Sequence, residues 1–186
     1  MTDLSSLPPD LPVPTDDGAA DHLGGVSVRG IELAGTHGAM SLVADTPWTV
    51  LYVYPRTGGP GIVLPDDWDL IPGARGCTPQ SCSFRDHHDE LAALGASVRG
   101  ISAQPFSEQR AFAARMHIPF PLLNDHEMTL AEAPLSLPVY PELGLYKRLT
   151  MAISNGVIRK LWYPVFPPDR NAADVVAFLT EQAVSG

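Results

Sequence analysis

Cysteine is scarce in this chain: 186 residues contain two, Cys77 and Cys82. A framework of structural disulfides is therefore excluded, and a chain of this length buries a core without such staples. Cations are in short supply as well, with 12 Lys and Arg against 21 Asp and Glu and a formal net charge of −9. Nucleic-acid affinity rests on Lys and Arg neutralising phosphates, so no nucleic-acid partner is expected. Long apolar runs are missing, and none approaches the roughly 18 to 20 residues of a membrane helix. No membrane partner is expected either. The opening stretch "MTDLSSLPPDLPVPTDDG" has no Lys or Arg and no apolar leader core, which reads as a cytoplasmic protein. Internal repeats are absent. The hydrophobic fraction of 45% and charged fraction of 18% are those of a globular domain.

Residues 1–25 are rich in Pro, Asp and Gly without periodicity and predict a poorly ordered or surface-wrapping arm ahead of one domain over 26–186. Short β-like pieces follow, then Trp48 to Tyr54, "WTVLYVY", a β-branched and aromatic run stopped by Pro55 that predicts a buried central strand. Residues 58–75 form a Gly- and Pro-dense loop, long enough to predict a functional or irregular segment. Thr78 before Pro79 predicts a helix start, with the hydroxyl as cap, running to Leu94 and stopped by Gly95. Phe84, Leu91 and Leu94 supply its apolar face. "SVRGISA" predicts a strand, "SEQRAFAARMH" a helix capped by Ser107, and "FPLLND" another strand. Residues 148–153 and 157–162 predict a hairpin around Asn155-Gly156, and "RNAADVVAFLTEQAV" a last helix with Val175, Val176 and Leu179 on one side. This alternation predicts an α/β domain with a mixed sheet.

The two cysteines stand five positions apart in "GCTPQSCSFRDHHDEL". In a reducing compartment such a pair is either buried ballast or transient chemistry, because thiols there are kept open. Cys77, at or just before the first helical turn, meets unpaired N–H groups and the positive end of the helix dipole, which favour a thiolate nucleophile. Cys82 lies deeper and gains less, so it is the natural resolving partner. Five helical residues advance about 7.5 Å and turn about 500°, whereas a disulfide wants Cα atoms about 4.4 to 6.8 Å apart. Joining the pair therefore requires the start of the helix to unwind. A zinc site of Cys77, Cys82, His87 and His88 has the right donors but the wrong spacing, since one helix cannot wrap four ligands spread around its circumference. His87 and His88, followed by Asp89 and Glu90, read as the solvated face. No metal and no cofactor are expected.

The run "PGARGCTPQSCSFRDHHDELAALGASVRGISA" resembles the peroxiredoxins of the AhpC/TSA superfamily, in particular the PrxQ or bacterioferritin-comigratory-protein branch. Cys-Thr-x-x-x-Cys followed by Arg-Asp, then a helix and a strand ending in Gly-Ile-Ser, carries the likeness. The resemblance implies a thioredoxin-like α/β fold with a central mixed β-sheet flanked by helices. It also implies reduction of hydrogen peroxide or organic hydroperoxides. Cys77 then matches the peroxidatic cysteine and Cys82 the resolving one, with their disulfide reduced by thioredoxin or a glutaredoxin-like protein. Such a protein is expected to be a monomer. "YKRLTMAISNGVIRKLW" is similar to the family's late-strand segment and places Arg148 as the cation beside the thiolate, where a guanidinium offers fixed donors to peroxide oxygens. The alternative is a redox-sensing or binding module of the same fold that does not turn over.

One departure concerns the loop. The family's Pro-x-x-x-Thr-x-x-Cys has Leu70 and Ala74 here at its Pro and Thr positions, while Pro55 and Thr57 stand upstream of the 58–75 insertion. Three arrangements are open: Pro55 and Thr57 fold back beside Cys77, Thr78 supplies the hydroxyl, or no hydroxyl is present. Pro55, Thr57 and Thr78 are accordingly the candidate substrate-binding residues.

Overall fold

The computed structural model describes residues 7–185. Of the N-terminal arm, residues 1–6 lie outside the described residues. The sheet comprises β1 (Glu32–Gly35), β2 (Met40–Ser41), β3 (Trp48–Val53), β4 (Ala96–Ser102), β5 (Leu122–Asn124), β8 (Leu149–Ser154) and β9 (Val157–Trp162). A small ribbon is formed by β6 (Val139–Tyr140) and β7 (Leu145–Tyr146). The helices are α1 (Cys77–Asp86), α2 (His88–Ala93), α3 (Phe106–Arg115) and α4 (Asn171–Ser185).

Strand order in the main sheet is β2-β1-β5-β4-β3-β8-β9, with β3 parallel to β4 and antiparallel to β8. The aromatic and β-branched run thus occupies an interior strand, as its unbroken apolarity predicts. Pleating sends Leu51 and Val53 to one core and Val50, Tyr52 and Tyr54 to the other. The second core takes Phe84, Leu91, Phe112 and Val175 from the four helices. The first is closed by chain outside the four α-helices, including Leu130, Leu135 and Leu137 and the arm residues Ala20 and Leu23. Asn155 (φ 52°) and Gly156 (φ 72°) turn the β8–β9 hairpin in the left-handed conformation this dipeptide readily adopts.

Two local expectations are corrected. The helix predicted to run unbroken to Leu94 is interrupted at His87 (φ −96°, ψ 7°), whose imidazole turns back to the Ser83 carbonyl at 2.9 Å. Gly95, at φ 75°, closes α2 as expected. Hydroxyl capping fails at both helix starts. Thr78 lies inside α1 and Ser107 inside α3, and the cap positions are Gly76 and Pro105.

The arm is clamped by Asp17, which accepts from Lys147 Nζ at 2.6 Å and from the Tyr163 hydroxyl at 2.7 Å. These two hydrogen bonds, the Lys147 bond first, lower the carboxyl from 3.8 to about 2. Because the folded value is depressed, the stabilisation is present above about pH 4 and is lost as the pH falls through about 2. Asp17→Asn is expected to lower the melting temperature by at most a few degrees at pH 7, since the pair is exposed and screened. The difference between parent and variant should disappear below about pH 2. Thermal melts across that range measure it, and a difference that persists in strong acid overturns the assignment.

Candidate active site

The carboxyl end of β3, the start of α1 and the start of β8 converge. Val53 pairs with Leu149, so Arg148 emerges beside the end of β3. Gly76 precedes α1 at φ 106°, a conformation that L side chains rarely adopt. A Cβ on Gly76 would also lie 2.3 Å from Pro168 Cγ. Glycine is required there both for the turn and for space, and that turn sets Cys77 as the first residue of α1.

Cys77 is buried, 3% exposed. Arg148 Nη2 donates to its Sγ at 3.2 Å and to the carbonyl oxygens of Ala74 and Arg75, each at 3.1 Å. Nη1 donates to Gln80 Oε1. Gln80 Nε2 in turn donates to Asn171 Oδ1 at 3.0 Å, and Thr150 Oγ1 donates to the same oxygen at 2.6 Å. This buried chain joins α1, β8 and the first residue of α4. Gln80 and Asn171 were invisible in the sequence, where each is one polar residue in an otherwise ordinary helical segment.

Among the described residues Arg148 has no carboxylate partner. A buried cation needs compensation, and the acceptors around Arg148 are neutral oxygens and the Cys77 sulfur. Peptide N–H groups at the start of α1 add to the same field. Cys82 is half-buried, and burial pushes its thiol above the ordinary value. Both cysteines are free thiols on one uninterrupted helix.

The other candidates are spread around this centre. Pro55 is buried, and its carbonyl accepts from Ser102 Oγ at 2.8 Å. Thr57 is buried with its amide and hydroxyl both engaged by Gln104, at 2.9 and 3.1 Å. Its neighbours Arg56 and Gly58 do return to Cys77, lining one small cavity with it together with Leu64, Trp68 and Thr78. Thr78 is therefore the hydroxyl residue in that lining. His87 and His88 are only partly exposed, His88 tilting against the Phe120 ring. Among the described residues no group of three or more potential ligands is placed to hold a metal, and no helix is long and apolar enough to cross a membrane.

Residues 70–160 match the AhpC/TSA family model. Over 105 residues the chain is 35% identical to Peroxiredoxin Bcp of Bacillus subtilis, a match covering 55% of this chain and 57% of that protein. It therefore spans little more than half the length of that relative. A peroxiredoxin bcp relative from Coxiella burnetii is 31% identical over 135 residues, covering 70% of this chain and 79% of its own. The fold matches the crystal structure of Peroxidoxin BcpB from Mycobacterium tuberculosis with a TM-score of 0.67 and 28% identity, across 85% of this chain and 96% of that one.

Gly76→Ala tests the turn that sets Cys77. Forcing φ 106° on alanine is expected to cost about 1 to 3 kcal/mol before any clash with Pro168 is counted. Urea unfolding should show a lower midpoint with an unchanged slope. An unchanged midpoint would mean that the turn tolerates a side chain.

Proposed function

Since the chain belongs to the AhpC/TSA, or peroxiredoxin, family, we propose that it is a thiol-dependent peroxidase acting on hydrogen peroxide or organic hydroperoxides. The observation that carries the reading is the Arg148 guanidinium at 3.2 Å from the Cys77 sulfur, at the head of α1. The Cys77 thiolate attacks one peroxide oxygen, and an S–O bond forms as the O–O bond breaks. The other oxygen leaves with a proton as water or an alcohol. Sulfur is oxidised to sulfenic acid and the peroxide is reduced. A guanidinium fixed by Gln80 and two carbonyls supports this step, because its donors are already oriented when charge moves along the O–O axis.

Cys82 then attacks the sulfenic sulfur, forming S–S as hydroxide leaves and takes up a proton. Five helical residues separate the pair, so the first turn of α1 opens for this step. Beyond Cys82 the helix stays anchored, because Phe84 stacks on Tyr52 with ring centroids 4.6 Å apart. Thioredoxin or a glutaredoxin-like dithiol protein reduces the bridge and becomes the disulfide itself. Placing both cysteines on one chain supports a monomer, and dependence on a dithiol reductant supports a reducing compartment, the cytoplasm. Thr78, in the cavity wall, is the hydroxyl best placed to meet the substrate, while Pro55 and Thr57 brace the chain beside it.

Stopped-flow peroxide consumption with thioredoxin, thioredoxin reductase and NADPH tests the reading. The parent is expected to turn over many times, Cys77→Ser not at all, and Arg148→Met about 100-fold more slowly. Cys82→Ser should still form one sulfenic acid per chain but no intramolecular bridge. After one equivalent of peroxide, intact mass of the parent should fall by two hydrogens. Undiminished consumption by Cys77→Ser would falsify the proposal. Oxidation once per chain without turnover would favour the redox-sensing module instead.

A further inference from the structure

We propose that residues 7–17 are a strap laid over the loop ahead of Cys77, and that this strap slows the opening of α1 by which Cys82 reaches the oxidised sulfur. The inference rests on the peroxidase reading above and assigns a control to its second step.

The strap meets that loop at both of its glycines. Leu7 Cδ2 lies 3.1 Å from the point a Cβ on Gly76 would occupy, and Pro14 Cβ lies 3.6 Å from the corresponding point on Gly73. Residues 73–76 lead directly into Cys77, and the carbonyls of Ala74 and Arg75 among them hold Arg148 Nη2 at 3.1 Å each. Pro14 and Thr15 then line a cleft of about 300 Å³ whose wall includes Arg148. The strap ends at Asp17, which is clamped by Lys147 and Tyr163, and Lys147 is the residue before Arg148.

This segment can lift without opening the domain. Residues 7–19 contain no buried side chain, whereas Ala20 and Leu23, 1% and 0% exposed, belong to the first core. Among the described residues no main-chain hydrogen bond joins 7–17 to the rest of the chain. Gly18, at φ 72°, turns the chain between the two parts, and its amide donates to Asp16 Oδ1 at 3.0 Å. Local opening costs little where buried apolar contacts are few. The strap is thus a weakly held segment, hinged at Gly18 on a firmly held one.

Its contacts couple to one step of the cycle. Opening the first turn of α1 breaks the bond from the Gln80 amide to the Gly76 carbonyl, 3.0 Å long in the closed form, and lifts residues 73–76 from beneath Leu7 and Pro14. Contacts made in the closed form alone shift the equilibrium toward it by their own free energy. Peroxide attack by the seated Cys77 needs no opening, so the strap leaves that step unchanged. Disulfide formation draws on the open form: Cys82 attacks the sulfenic sulfur, S–S forms, and hydroxide leaves and takes up a proton. The strap slows this step.

The test compares the full chain, a truncation lacking residues 2–15 and full-length Asp17→Asn. In the reduced protein, hydrogen exchange at the Gln80 amide is expected to quicken about 10-fold in the truncation, the effect of about 1.4 kcal/mol of lost contact, and about 2- to 5-fold in Asp17→Asn. The Tyr54 amide, bonded to the Ile101 carbonyl at 3.0 Å within the sheet, should exchange at the parent rate in all three. After one equivalent of hydrogen peroxide, quenched-flow mass analysis should show sulfenic acid forming at the parent rate and the disulfide following faster by the same factors. Asp17→Asn removes only an exposed ion pair, so it keeps the test alive if the truncation does not fold. Unchanged exchange at Gln80 in both variants overturns the strap. So does a loss of protection that Tyr54 shares, which marks general destabilisation, and so does a disulfide that forms no faster; each leaves the peroxidase reading standing. If hydrogen peroxide oxidises Cys77 in none of the three proteins, the peroxidase reading itself falls, and the control on its second step falls with it.

Discussion

A buried guanidinium with no acidic partner among the described residues is the constraint around which this site is organised. Arg148 is 2% exposed and is held by an amide oxygen, two main-chain carbonyls and a sulfur. Removing a cation from water is costly, and neutral acceptors return only part of that cost. Gln80 orients the guanidinium, Asn171 orients Gln80, and Thr150 shares the same Asn171 oxygen. Three separate elements are thereby committed to one geometry.

The same arrangement sets up a conflict in α1. Its first turn presents Cys77 to Arg148, and in the proposed peroxidase cycle that turn would have to open for Cys82 to reach the oxidised sulfur. The helix divides these duties along its length. Tyr52 stacks on Phe84 and donates to Ser81 Oγ at 3.1 Å, tying the middle of the helix to the sheet. The turn ahead of these anchors is held by polar contacts to Arg148, by the burial of Cys77 in the helix-side core and by the packing of Gly76 against Pro168. The break at His87 and the separate α2 lie on the far side of that anchor from Cys77.

Residues 58–75 supply part of the lining of the small cavity at Cys77. In the sequence they are a Gly- and Pro-dense stretch whose length alone invites a functional reading. In the folded chain Trp68 gives the stretch a small apolar core shared with the β6–β7 ribbon, and the segment becomes a wall. The return of Arg56 and Gly58 to Cys77, with Thr57 turned to Gln104, follows from this packing.

Local chemistry was legible without coordinates. The unbroken apolar run at 48–54, the Asn155-Gly156 turn, the Gly95 stop and the start of a helix at the first cysteine all follow from dihedral preference, periodicity and end effects within a few residues. Both thiols and the cation beside Cys77 could be named, and so could the fold, because a motif is itself a local pattern. Hydroxyl caps at Thr78 and Ser107 were misjudged, because Gly76 and Pro105 take the cap positions through the path of the preceding loops. Tertiary structure alone decided that Arg148 reaches across 71 positions to the sulfur, that Gln80 and Asn171 hold it, and that Thr57 turns to Gln104 while Thr78 lines the cavity. Strand register and loop packing determine these contacts, and neither is encoded in any short window of the chain.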